Sequence, residues 1–185
     1  MENIKERLDK VHELLKSTEF LEGQGLSNEV NIRLFCYDPA DEMAVRHFVS
    51  QVLTDQALPC HLIEKNLYDV FLEICEMKRI LNRIPDIEKN KGKKLVLGQM
   101  EKLANVDIFV DCICTEPFEP GDVLLLTGVG DVFPFMRIHS LLEAIQKKTS
   151  DVPILVMYPG SFDGRYVKLF DRLQPNPYYR AFNEV

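Results

Sequence analysis

Leu124-Leu125-Leu126-Thr127-Gly128-Val129-Gly130-Asp131-Val132-Phe133-Pro134-Phe135-Met136-Arg137 decides the fold class of this chain. An apolar run stops at a Gly-x-Gly turn, and a Phe-Pro-Phe follows. An amphipathic helical pattern then begins, with Ile138, Leu141, Leu142 and Ile145 on one side. A nearly uniform apolar run is what a central parallel strand needs, because both of its faces are covered. The theme recurs at Ile154-Leu155-Val156-Met157-Tyr158-Pro159-Gly160. Strands that feed turns in this way predict an α/β domain, and their ends mark the edge where such folds place their sites. Neither end carries a complete catalytic signature.

Upstream, Ile32, Leu34 and Cys36 alternate with Asn31, Arg33 and Phe35 as a first strand. Asp38 suits an N-cap and Pro39 the first helical position, so a helix burying Val45, Phe48, Val49 and Val52 is expected next. Cys60 to Glu64 reads as a short second strand. Asn66 caps a helix with Leu67, Val70, Phe71, Ile74 and Leu81 on its buried side, which Pro85 closes. Residues 94–114 fit either period; Leu95, Met100 and Leu103, with Asn105 the one turn residue among them, favour helix. Glu116 to Gly121 is a loop, followed by a third strand at 122–127, a helix at 135–149 and a fourth strand at 153–158. Leu169, Phe170 and Leu173 predict a short helix before Pro175, and residues 178–185 an edge strand. At the other end, Ile4, Leu8, Val11 and Leu15 define an amphipathic helix within residues 1–17, able to dock on its own domain or on a partner, and Gly23-Gln24-Gly25 marks a turn. The alternation predicts one domain over residues 1–185, a three-layer α/β/α sandwich around a mainly parallel sheet.

At 185 residues the chain can bury a sizeable core without crosslinks. Its net charge of -7 argues against broad electrostatic attraction to nucleic acid or anionic membranes. No segment approaches the length of an apolar membrane span, and Met1 to Arg7 hold no apolar signal core, so a cytoplasmic protein is expected. The five cysteines form no Cys-x-x-Cys pair, which fits a reducing compartment. Lys89-Asn90-Lys91-Gly92-Lys93-Lys94 is the one concentrated basic stretch, and a solvated loop is its plainer reading.

The candidate chemistry is incomplete everywhere. A phosphate-binding loop needs glycine-rich backbone, a lysine and a hydroxyl. The turn Tyr37-Asp38-Pro39-Ala40-Asp41-Glu42 has no glycine and sets carboxylates at a helix start, where they favour the helix dipole and repel phosphate. Gly128-Val129-Gly130 lacks the third glycine of a dinucleotide fingerprint, since Phe133 stands there; a tight turn at positive φ is the simpler reading. In Gly160-Ser161-Phe162-Asp163-Gly164 the serine is second rather than third, so no nucleophile elbow is formed. His61 beside Cys60, with Cys36 on a neighbouring strand, is the nearest approach to a metal set, but no zinc spacing is present. Arg137, Arg165 and Arg180 near the strand ends suit an anion or a partner carboxylate, or ordinary salt bridges. No cofactor, metal or catalytic residue is assigned.

Several motifs together resemble the BrxB family of phage-exclusion (BREX) systems. They are Leu126-Thr127-Gly128-Val129-Gly130 with Phe133-Pro134-Phe135-x-Arg137-x-His139, Tyr158-Pro159-Gly160-x-x-Asp163-Gly164, Leu169-Phe170, Tyr178-Tyr179-Arg180-Ala181-Phe182 and Tyr37-Asp38-Pro39-x-Asp41-Glu42. The resemblance implies a non-catalytic adaptor of antiphage defence. Its implied partners are a PglZ-like protein and a BrxC-like AAA ATPase, with the methyltransferase complex a further candidate. The expected docking residues are Gly128, Gly130, Phe133, Phe135, Arg137, Gly160, Phe162, Arg165, Tyr178 and Tyr179. Two other classes stay open: an atypical metal-dependent nucleotide hydrolase or nuclease using Asp111, Glu116, Asp131 and Asp163, and, less favoured, a nucleic-acid module using the lysine run. The element order also parallels an AAA-type ATPase core, with Tyr37 to Glu42 at the phosphate-loop position and Leu124 to Asp131 as the second acidic strand. A degenerate core of that kind requires the P-loop strand order.

Overall fold

Five parallel strands, β1 (Ile32–Tyr37), β2 (His61–Asn66), β3 (Asp122–Thr127), β4 (Ile154–Phe162) and β7 (Phe182–Glu184), stand in the order β2-β3-β4-β1-β7. The first strand thus lies between the fourth and the last, the order that the ATPase-like reading requires. This computed structural model describes residues 3–23, 31–149, 151–163 and 166–173, and the backbone of 176–177 and 182–184.

Alternation along each strand splits the core in two. Ile32, Leu34, Leu124, Leu126, Ile154 and Val156 face one layer. That layer is built from α4 (Leu67–Met77), α6 (Lys93–Leu103), α7 (Val106–Ile113), the short α8 (Val129–Val132) and α9 (Ile138–Lys148). Phe35, Tyr37, Val123, Leu125, Leu155 and Met157 face the other, where α1 (Ile4–Leu14) and α3 (Glu42–Val52) pack, followed by α2 (Thr18–Glu22). The central strands β3 and β4 are buried on both faces, β4 as far as Gly160, which explains their unbroken apolar runs. The N-terminal helix docks on its own domain. Leu8, Val11 and Leu15 are buried, Arg7 donates to the Cys36 carbonyl at 2.7 Å, and its guanidinium lies 4.9 Å from the Phe35 ring centre.

Local signals account for most boundaries. Asp38 accepts from the Ala40 amide and Pro39 opens a single 3-10 turn that leads into α3. Asn66 caps α4 through the amides of Tyr68 and Asp69, and Asn105 caps α7. Residues 94–114 hold two helices, α6 and α7, parted at Ala104 and Asn105, and Phe182–Glu184 supply the outer strand, paired in parallel with β1.

Five expectations are corrected. Leu81 is not on α4, which stops at Met77; it belongs to a separate 3-10 turn, Leu81–Arg83. Pro85 opens α5 (Ile84–Lys91) instead of closing a region, because a first-turn residue needs no amide proton. The lysine run is not a loop: Lys89 and Lys91 end α5, Lys93 and Lys94 start α6, and Gly92 at φ 85° is the joint between them. Leu169, Phe170 and Leu173 form no helix. β4 continues past Tyr158 and turns back as an antiparallel hairpin with β5 (Tyr166–Leu169), which in turn pairs with β6 (Asn176–Pro177). The helix expected at 135–149 begins only at Ile138, after α8 and the Phe133-Pro134 cis peptide. The turn at Gly23-Gln24-Gly25 lies largely outside the described residues, though Gly23 itself ends α2 in the left-handed region.

Candidate functional site

β1, β2 and β3 end at a common edge, at Tyr37, Asn66 and Thr127, where the parallel pairing of β4 also stops at Pro159, and the segments beyond them form the site. The Tyr37 hydroxyl donates to Glu42 at 2.6 Å, and Arg46 donates through Nε to the other oxygen of Glu42 at 2.7 Å. The same guanidinium reaches across to Asp131 at 2.5 Å, which ties α3 to α8. Burial, reinforced by the Glu42 carboxylate, pushes the Tyr37 phenol far above its ordinary value, so it stays a neutral donor. Beneath this chain lies a cleft of about 170 Å³ whose walls include Glu64, Asn66, Thr127 and Gly128. Thr127 donates to Glu64 at 2.7 Å.

This is the position where an ATPase-like core would cradle phosphate. Here the Arg46 guanidinium is already committed to two carboxylates, Glu42 and Asp131, and a third, Glu64, lines the same cleft. Such a setting repels a polyphosphate instead of holding it. The remaining acidic candidates are scattered: Asp111 pairs with Lys148 at 2.7 Å, Asp163 accepts from the Tyr166 amide, and Glu116 is exposed. Among the described residues no three histidines, cysteines or carboxylates are grouped so that they could hold a metal ion. Cys36 and His61 are not on neighbouring strands, because β3 and β4 stand between β1 and β2. His61 pairs with Asp122 at 2.9 Å, and the Cys60 thiol donates to the Leu15 carbonyl.

The second half of the edge is built by glycines and apolar packing. Gly128 adopts φ 68°, and a Cβ there would stand 2.3 Å from the Asn66 side-chain oxygen that caps α4. Gly130 is helical and is small for a different reason, since a Cβ would meet the Phe170 ring at 2.8 Å. Gly160 lets β5 close in, with the Lys168 carbonyl 2.2 Å from where a Cβ would be. The Phe135 ring stacks on Phe71 at 4.5 Å and is half-buried, as are Phe133 and Phe162. Between α9 and the hairpin opens a cavity of about 320 Å³, walled by Phe133, Met136, Ile138 and Leu169, with Arg137, His139 and Tyr158 as its polar members. Burial, and then the neighbouring Arg137, pushes the His139 imidazole below its ordinary value, against the opposing pull of Glu143. Burial raises the Tyr158 phenol. Around neutral pH the cavity therefore presents a neutral imidazole and phenol beside one cation.

The structure thus brings Gly128, Gly130, Phe133, Phe135, Arg137, Gly160 and Phe162 to one edge. Arg165, Tyr178 and Tyr179, with Arg180, lie outside the described residues. Sequence reading missed Tyr37, Arg46 and Glu64 as site members. The Glu42–Arg46 spacing of four on a helix was an available signal for the first pair. Nothing local pointed to Arg46 with Asp131, which are 85 residues apart.

Fold and edge together define a three-layer α/β domain with the strand order of an ATPase-like core and an acidic, internally paired group at the phosphate position. The chain belongs to the BrxB family. The family model described as "BREX protein BrxB" matches residues 63–184. A protein named "BREX protein BrxB" from Bacillus cereus (strain H3081.97) is 37% identical over 193 residues, covering 100% of this chain and 99% of the relative. Another of that name from Escherichia coli O9:H4 (strain HS) is 24% identical over 180 residues, covering 97% and 90%. No solved structure matches. Among the described residues no helix is long and apolar enough to cross a membrane.

Proposed function

We propose that this BREX component serves antiphage defence as a non-catalytic adaptor, which joins a PglZ-type protein to a large BrxC-like AAA ATPase through the carboxyl edge of its sheet. The observation that carries this reading is the Tyr37–Glu42–Arg46–Asp131 chain, which fills the phosphate position with paired side chains. Arg46, the cation at that position, is already paired with Glu42 and Asp131, which supports a role other than phosphate binding there. Beside it, the Arg137–His139 cavity with half-buried Phe133 offers a concave, mixed surface suited to a protein anchor. Arg165, Tyr178 and Tyr179 extend the proposed docking set in sequence.

Co-purification of the tagged chain with the PglZ-type and ATPase components of its own operon, followed by size-exclusion chromatography, tests the proposal. A stoichiometric complex weakened by Arg137→Glu is expected. A chain that elutes alone in the presence of both components contradicts the adaptor role.

A further inference from the structure

The charge of this protein is divided unevenly. Between residues 78 and 94, Lys78, Arg79, Arg83, Lys89, Lys91, Lys93 and Lys94 face only Asp86 and Glu88, a net of +5. The whole chain is at -7, so everything else carries -12. All seven cations are exposed, and among the described residues none pairs with a carboxylate. Lys93 and Lys94 stand in the first turn of α6, whose N-cap is a glycine with no capping side chain. The helix dipole disfavours cations there, so they do not serve the stability of α6.

The outer face of the same helix is built for contact. Val96 and Met100 point into the core. The 3.6-residue repeat then places Gly98 on the outward side, one turn beyond Lys94 and one before Lys102. A Cβ on Gly98 would meet nothing within 4 Å, so no packing within the chain requires a glycine. Glycine in a helix interior is unfavourable relative to alanine. Leu95 and Leu97 flank this notch and remain 42% and 41% exposed. A notch between two bare leucines, ringed by unpaired cations, is complementary to a side chain that carries apolar and acidic neighbours at helical spacing.

We propose that the outer face of α6, with the basic turns around Gly92, docks an acidic amphipathic helix of a partner protein. Nucleic acid would answer the cations but not the leucines or the notch, and residues 78–105 offer no aromatic ring for base stacking. The proposal deepens the adaptor reading and rests on it. It assigns a second surface, remote in sequence from the strand-end turns, so that two partners can be held at once.

The test titrates the full chain with the PglZ-type and ATPase components separately, at low and high salt, using wild type, Gly98→Gln and the double variant Lys93→Glu/Lys94→Glu. Gly98→Gln is expected to raise Tm, because it improves the helix, while weakening one component by about tenfold or more. The lysine variant is expected to keep or slightly raise its Tm, since carboxylates suit a helix start, and to lose the same component, with the larger loss at low salt. Wild-type affinity for both components in both variants overturns this surface and leaves the adaptor role standing. Failure of the wild type to bind either component removes the adaptor role and this surface together. Duplex DNA binding that the lysine variant loses and Gly98→Gln keeps would replace the protein occupant with a nucleic acid.

Discussion

Two turns on one edge of the sheet solve the same geometrical problem with opposite chemistry. The turn after β1 is written in polar side chains: Asp38 caps, Pro39 fixes the first turn, and Glu42 and Arg46 close over the strand end. The turn after β3 is written in glycines and rings, with Gly128 in the left-handed region and Phe135 stacked on Phe71. The first shuts its cleft electrostatically. The second leaves a larger cavity of mixed polar and apolar lining beside a cation. One α/β edge therefore carries paired charges in one half and an open cavity in the other. The Arg46–Asp131 contact ties the halves together.

The comparison can be broken at its glycine side first. Gly128→Ala should cost on the order of 3 kcal/mol in urea unfolding, because positive φ and a close approach to Asn66 act together. Gly121→Ala has φ 95° but open space at Cβ, and should cost only about 1 kcal/mol. Equal losses at the two positions would show that the Asn66 approach contributes nothing. Phe135→Ala removes a half-buried ring from the Phe71 stack and should destabilise by about 2 kcal/mol in the same assay.

The polar half should respond more weakly. Arg46→Ala removes two contacts from partly exposed partners and should cost below about 1 kcal/mol, with the difference shrinking as salt is added. The smallest effect belongs to His139. Its folded pKa lies below the unfolded value of about 6.5, so the unfolded chain takes up the proton first. The stability associated with the neutral ring is present above that pH and is lost as pH falls through the folded pKa. His139→Gln should flatten the pH dependence of urea midpoints in this window. An unchanged slope would mean that the imidazole is not held neutral by its surroundings.

The sequence was most legible where one local rule dominated. Period and capping located β1, β3, α3, α4 and α9, and the doubly buried strands announced themselves as apolar runs. The errors fell where two rules competed. Leu169, Phe170 and Leu173 have helical spacing, but a long β4 that runs on to Phe162 pairs back with β5 and claims Leu169 for a strand. The lysine run resembles a loop because its charges point outward, yet a single glycine suffices to separate two helices. At the site, the turns were visible and their partners were not. The Glu64–Thr127 and Arg46–Asp131 pairs join residues 63 and 85 positions apart, and strand order alone brings them together.

The most direct test of the closed half is equilibrium titration of the full chain with a fluorescent ATP analogue and magnesium, competed by unlabelled ATP. The account predicts no saturable, competable signal, because Glu42, Glu64 and Asp131 occupy the phosphate position with their own partner. Competable saturation that is altered by Arg46→Ala would contradict it and return the edge to the nucleotide-binding proteins.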